Sequence, residues 1–323
     1  MEVNMYKNEP IFLQPVFQER IWGGQKLKTE FHYEIPYKET GEAWVISAHP
    51  HGPSMIKNGP LAGKTLADAW NEHGDLFNKK SDHQGEYPLL IKILDAADDL
   101  SVQVHPNDQF AREVEGVPYG KTECWYVLSA EENAELVLGH HAKSQEELEQ
   151  MVDQGEWDKL LRRVKVKTGD FVYVPSGTIH AIGKGIVILE TQQSSDITYR
   201  VYDYDRTDAA GDKRELHLER AKQVTTVPNQ DATVEQTETV IGDLVEKKLV
   251  KEQYFTVYHW QLNGKASCGL TKDFLQVSVI EGQAEITIAG KTFALEKGSH
   301  FLLPHGVHEY TIEGQAEFIV SHV

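Results

Sequence analysis

The chain has 323 residues, 50 of them acidic against 32 basic, for a formal net charge of −18. That length allows one large domain or two ordinary ones with a full apolar core. Such acidity argues against a nucleic-acid partner, which is gripped by clustered Lys and Arg, so any anionic ligand requires a local basic site. Two distant cysteines, Cys124 and Cys268, suggest no disulfide framework. The opening "MEVNMYKNEPIFLQP" has neither a basic nor an apolar leader segment, and no window approaches 18 uncharged apolar residues. The expectation is a cytoplasmic protein with no membrane partner.

In chain order, the first helical signal is "TLADAWNEHGDLFNKK" (65–80), with Thr65 as a cap. "SVQVHPND" (101–108) follows as a strand, on which Gln103 and His105 share a face because side chains alternate. Two solvated residues at a strand end are the bland alternative. A second helix is predicted over 144–164, where Ser144 and Glu147 have capping-box spacing. Otherwise short alternating segments dominate: "ELVLG", "FVYVP", "GIVILET", "LQVSVIEG", "AEITIAG" and "HFLLP". The chain reads as mainly β with a few inserted helices.

"TGDFVYVPSGTIHAI" (168–182) and "KGSHFLLPHGVHEYT" (297–311) share a plan. Gly169, Pro175, Gly177 and His180 in the first correspond to Gly298, Pro304, Gly306 and His308 in the second, one residue shorter at the end. A Gly turn enters a strand, a Pro ends it, and a second Gly re-aims the chain so that the His starts the next strand. This pattern resembles the second motif of the cupins, double-sheet jelly-roll barrels with a metal site in the mouth. Two cupin-like barrels are expected: a metal-binding domain over 1–240 with the helical insertions, and a smaller one over 241–323.

The cupin resemblance implies ligands from a Q/H-x-H strand, a carboxylate on the next strand and the His of the turn. Gln103, His105, Glu123 and His180 supply each, an imidazole and oxygen set suited to Zn²⁺. Most of the 15 histidines are read instead as solvated or hydrogen-bonded residues. The second module has His300, His305 and His308, but Gln276 is followed by Ser278 where a His would be needed. That barrel is read as metal-free and structural.

"PLLIKIL", "LSVQVHPND", "GKTECWYVL", "VPSGTIHAIGKGIVILETQQSSDITYRVYDYDR" and the early "ERIWGG" together resemble the type I mannose-6-phosphate isomerases, in their short bacterial form. The resemblance implies one Zn²⁺ per subunit and interconversion of mannose 6-phosphate and fructose 6-phosphate through a cis-enediol. It places Gln103, His105, Glu123 and His180 at the zinc, Arg200 at the active-site arginine, and Lys92, Lys121, Glu190 and Asp196 in the pocket. Where some longer members have a histidine, this chain has Gly120.

Chemically, Arg200 suits phosphate or enediolate charge. Lys92 and Lys121 would hold phosphate or, with a lowered pKa, transfer protons; Lys121 shares the face of Glu123 on a strand. The base is open among Lys121, Glu190 and Asp196. Two other readings compete: an Fe²⁺ cupin oxygenase, and a silent sugar-phosphate-binding regulator that has kept the fold. The sequence is silent on oligomeric state, with a monomer as the working expectation.

Overall fold

The computed structural model describes residues 6, 8–80, 85–208 and 210–323. Among these the strands form three sheets, of nine, six and five strands, with few helices. None of the helices is long and apolar enough to cross a membrane.

The six-stranded sheet runs Phe171–Val174, Glu123–Ala130, Ile186–Gln193, Leu89–Ala96, Val16–Gly24, Thr40–Ile46. The five-stranded sheet runs Tyr199–Tyr202, Val102–Val104, His180–Ile182, Glu135–His140, Leu161–Lys165. Leu94, Trp125 and Ile188 from the first sheet meet Leu136 and Ile182 from the second in one apolar core. This is a jelly-roll sandwich of the cupin type.

Both central strands of the six-stranded sheet are buried at every residue, which explains why "LLIKILDA" and "IVILETQQ" do not alternate cleanly. One face fills the sandwich. The other, with Ile91, Ile93, Cys124 and Leu189, packs against the helical segments and against Phe255, Phe274 and Ile319 of the last unit. The inward face itself changes character along each strand. Ala96 and Leu94 lead to Lys92, Ile186 and Ile188 lead to Glu190, and Val127 and Trp125 lead to Glu123. The core therefore ends in a buried layer of charge.

The nine-stranded sheet belongs to the last unit, but its path includes Ile11–Gln14, paired with His300–Leu303, and Met55–Ile56 beyond it. The two expected units thus share a sheet. The repeated turn appears in the backbone of both: Gly169 and Gly298 each have φ +88°, Gly177 +85° and Gly306 +100°. Thr178 N donates to Pro175 O and Val307 N to Pro304 O, both at 3.2 Å. At Gly177 a Cβ would also meet Thr226 Oγ1 at 2.5 Å, so the turn admits no side chain there.

The helices are shorter than the patterns predict. Thr65 and Asp68 form a reciprocal capping box, but the helix covers Leu66–Glu72 and a 3₁₀ turn Gly74–Phe77 follows. Ser144 caps Gln145–Asp153, while the Glu147 carboxylate accepts from Lys143 N; the chain then breaks before Trp157–Leu160 and enters a strand at Leu161. Gly155, at φ +64°, ends the helical run.

Candidate metal centre and substrate cavity

His105, Glu123 and His180 are buried together, each about 1% exposed, and offer ligand atoms within 4.8 Å of one another. His180 Nε2 lies 3.3 Å from Glu123 Oε1, and His105 Nε2 lies 3.6 Å from Glu123 Oε2. Two ligands each about 2.0–2.1 Å from a tetrahedral Zn²⁺ stand about 3.3 Å apart, so the spacing fits such an ion. The outer nitrogens fix the tautomers. Nδ1 of His105 faces the Ile197 carbonyl at 2.7 Å and Nδ1 of His180 faces the Thr178 carbonyl at 2.8 Å. Each Nδ1 must therefore carry the proton, leaving Nε2 as the acceptor nitrogen, as in most metal-bound histidines. His180 Nε2 accepts no hydrogen bond although it is buried, and Glu123 Oε2 meets the Lys121 ammonium at 2.9 Å, which matches atoms suited to a cation.

Gln103 pairs in register with both His180 and Arg200 on neighbouring strands, and its side chain lines the adjoining cavity. The four expected ligands are thus brought to one place, three in the buried triad and Gln103 at its open side.

Charge continues from the triad into the six-stranded sheet. Lys121 Nζ lies 2.9 Å from Glu123 Oε2 and 3.2 Å from His105 Nε2. Glu190 Oε1 stands between Lys92 at 3.6 Å and Lys121 at 3.9 Å, and Lys92 also faces Glu42 at 3.8 Å. Trp125 Nε1 donates to both Glu123 and Glu190, at 3.1 and 3.2 Å. Arg20 and the Trp44 indole donate to Glu42 at 2.8 and 2.6 Å.

Burial depresses His105 well below its ordinary pKa and lowers His180, keeping both neutral. Glu190 is raised, first by burial and then by Glu123. Burial would also raise Glu42, but Lys92, Arg20 and the Trp44 hydrogen bond outweigh it and hold the carboxyl at about 2. For Lys121, burial lowers the pKa but Glu123 and Glu190 more than reverse it. The lowered lysine allowed by the sequence is not found; Lys121 is a fixed cation.

Glu42, Lys92, Lys121 and Glu190 line a cavity of about 590 Å³, within the usual range of small-molecule pockets, roughly 300–1,000 Å³, and Lys121 joins it to the triad. Its walls include Gln103, Lys92, Lys121, Glu190, Asp196 and Arg200, so every expected pocket residue reaches it. Asp196 sits at the rim, 43% exposed in its side chain and 2.6 Å from His51 Nδ1. Arg200 donates to Ser101 Oγ at 3.3 Å and to the Glu215 carbonyl at 2.7 Å. A larger concavity of about 1070 Å³ lies on the last unit, lined by polar groups such as Gln261, Glu281 and Glu313 without a histidine or cysteine; size alone does not locate the site.

Arg20, Glu42, Trp44, His51 and Arg214 also line the cavity and escape the sequence reading. Arg20 lies within "ERIWGG", a segment quoted above for its overall likeness only. Glu42 and Trp44 share a strand face with i, i+2 spacing, the same signal that exposed Gln103 and His105. His49, His51 and Asp196 form a second group of metal-ligating types, but His49 Nδ1 accepts from His51 N. The neutral ring then carries its proton on Nε2, toward Asp196, the wrong tautomer for a ligand. At Gly120 a Cβ would lie 2.4 Å from Pro106 O and from Asn107 C, so this backbone has no room for the histidine of longer relatives.

Comparison with known proteins agrees with this geometry. Residues 11–139 match the family described as "Phosphomannose isomerase type I, catalytic domain", and residues 245–323 match "Mannose-6-phosphate isomerase, cupin domain". The mannose-6-phosphate isomerase ManA of Bacillus subtilis is 51% identical over 98% of this chain and 99% of its own length. That of Streptococcus mutans is 51% identical over 97% of this chain and 98% of its own. The crystal structure of the mannose 6-phosphate isomerase from Bacillus subtilis superposes with a TM-score of 0.95 at 49% identity, covering 97% of this chain and 99% of that one. The chain belongs to the type I phosphomannose isomerase family and is an aldose–ketose isomerase.

Proposed function

We propose that the protein interconverts D-mannose 6-phosphate and D-fructose 6-phosphate through a cis-enediol, with one Zn²⁺ held by Gln103, His105, Glu123 and His180. The observation that carries this reading is the buried triad with both Nε2 atoms turned to one carboxylate, joined through Lys121 to a cavity lined by lysine and arginine side chains. Bound there, zinc would supply Lewis-acid polarisation of the sugar oxygens without redox chemistry.

The chain's own groups account for the proton traffic. The isomerisation moves a proton between C2 and C1. Glu190 suits the base: it is buried, its basicity is raised, and Oε1 lacks a hydrogen-bond partner. Lys121 and Lys92, fixed on either side of that oxygen, would stabilise negative charge developing on the sugar oxygens. Asp196, oriented by His51 at the rim, is the group left for a ring hydroxyl, and Arg200 binds the substrate from the five-stranded sheet. The test is a coupled assay for fructose 6-phosphate formed from mannose 6-phosphate, before and after chelation and on zinc return. Turnover that disappears with chelator and returns with zinc supports the proposal; no turnover in the zinc-loaded protein overturns it.

A further inference from the structure

Among the described residues that line the cavity, His51 is the one imidazole. Its neighbours on the walls are already committed. Glu42 is locked between Arg20, Lys92 and the Trp44 indole, Lys121 is a fixed cation, and Glu190 suits the carbon-bound proton. A hexose 6-phosphate makes one more demand, because its ring form is a cyclic hemiacetal and the C2 proton becomes acidic only once C1 is a carbonyl. Imidazole is the side chain fitted to take and return a proton near neutral pH.

The His51 side chain is 69% exposed, yet the residue is held on three sides. Its Nδ1 meets Asp196 Oδ2 at 2.6 Å, its backbone N donates to His49 Nδ1 at 3.2 Å, and its carbonyl accepts from Gln18 Nε2 at 3.4 Å. His49 is buried, edge-on to the Trp44 ring, with Nε2 facing Asp196 Oδ1 at 3.7 Å. Burial would raise the Asp196 pKa, but the His51 hydrogen bond leads the groups that outweigh it, so the carboxylate stays ionised. An ionised carboxylate only accepts, so Nδ1 of His51 carries the proton and Nε2 is the acceptor nitrogen. That nitrogen has no hydrogen-bond partner among the described residues. Ile197, next to Asp196, accepts from His105 Nδ1 at 2.7 Å, so one short segment orients both a residue of the metal triad and this imidazole.

We propose that Asp196 acts on the sugar ring through His51, which is the catalytic residue of ring opening. This rests on the isomerase reading. His51 Nε2 takes the proton from O1 of the cyclic sugar, the freed electron pair forms the C1=O1 double bond as C1–O5 breaks, and the imidazolium returns the same proton to O5. Both oxygens are bonded to C1, so one imidazole serves both, and no proton is gained or lost. Asp196 fixes the tautomer and stabilises the imidazolium between the two transfers. Exposure at the rim lets the imidazole meet the ring form as it enters.

The experiment compares zinc-loaded wild type, His51→Ala and His51→Gln in steady-state turnover of mannose 6-phosphate, with and without added imidazole, with zinc content measured beside each. His51→Ala should lower kcat about 10²-fold with KM changed less than about threefold and one zinc retained. His51→Gln, which keeps a donor for Asp196 but cannot relay a proton, should be impaired as much as His51→Ala. Added imidazole should raise kcat of His51→Ala by about tenfold or more and leave wild type unchanged. Full kcat in folded His51→Gln would show a merely structural role and overturn the assignment, as would a loss in His51→Ala that imidazole does not repair. A wild type that forms no fructose 6-phosphate would sink the isomerase reading and this inference with it, whereas an active wild type beside an unimpaired His51→Gln sinks the inference alone.

Discussion

Two buried imidazole sites in this molecule differ in one respect. In the first barrel, His105 and His180 use Nδ1 on backbone carbonyls and turn Nε2 toward Glu123; Lys121 meets His105 Nε2 at 3.2 Å, and His180 Nε2 has no hydrogen-bond partner. In the second, His300 has both nitrogens engaged within the protein: Nδ1 with Ser278 Oγ at 2.8 Å and Nε2 with Tyr33 OH at 2.6 Å. Its neighbour Gln276 accepts from Tyr87 OH at 2.9 Å and donates to Ser321 at 3.4 Å. Related folds and similar residue types thus yield an incompletely bonded acceptor set facing a cation in one place and a closed polar network in the other. Hydrogen-bond saturation, more than the presence of histidine, separates the two.

The comparison can be broken from either side. The largest expected effect is His180→Ala or His105→Ala: zinc and activity should disappear together, with turnover down by about 10³-fold or more, checked by metal analysis on the purified variants. Arg200→Ala should keep zinc yet lower kcat/KM by about 10²–10³-fold; full activity would remove Arg200 from the site.

His300→Ala should keep metal and kcat but reduce stability. Burial holds the His300 pKa at about 3, against about 6.5 unfolded. The unfolded chain therefore binds the extra proton between those values, and wild-type stability falls as pH drops from about 6.5 toward 3. Denaturant midpoints over that range should show a flatter acid slope in the variant. The smallest effect belongs to His308→Ala. His308 is exposed, so the change should stay within about 0.5 kcal/mol with zinc content unaltered; loss of a stoichiometric metal would erase the distinction between the barrels.

Much of the site was legible because strand alternation and turn chemistry are local. Gln103 with His105, Glu123 with Lys121, and the turn ending at His180 are each read from a few residues, and the structure brings them together. Arg20, Glu42 and Arg214 were not legible, because their importance comes from partners supplied by other strands: Glu42 joins Lys92 only through the register of Thr40–Ile46 with Leu89–Ala96. The helix predicted over 144–164 ran too far because its later residues enter a strand beside Glu135–His140, a tertiary pairing that overrides local propensity. The capture of Ile11–Gln14 by the last unit's sheet is likewise a long-range contact without a local signal.

The most direct test of the account is the metal stoichiometry of the purified protein, measured by elemental mass spectrometry beside His180→Ala and His308→Ala. The account predicts one zinc per chain in wild type, none in His180→Ala and one in His308→Ala. Two metals in wild type, or zinc retained without His180, would contradict it.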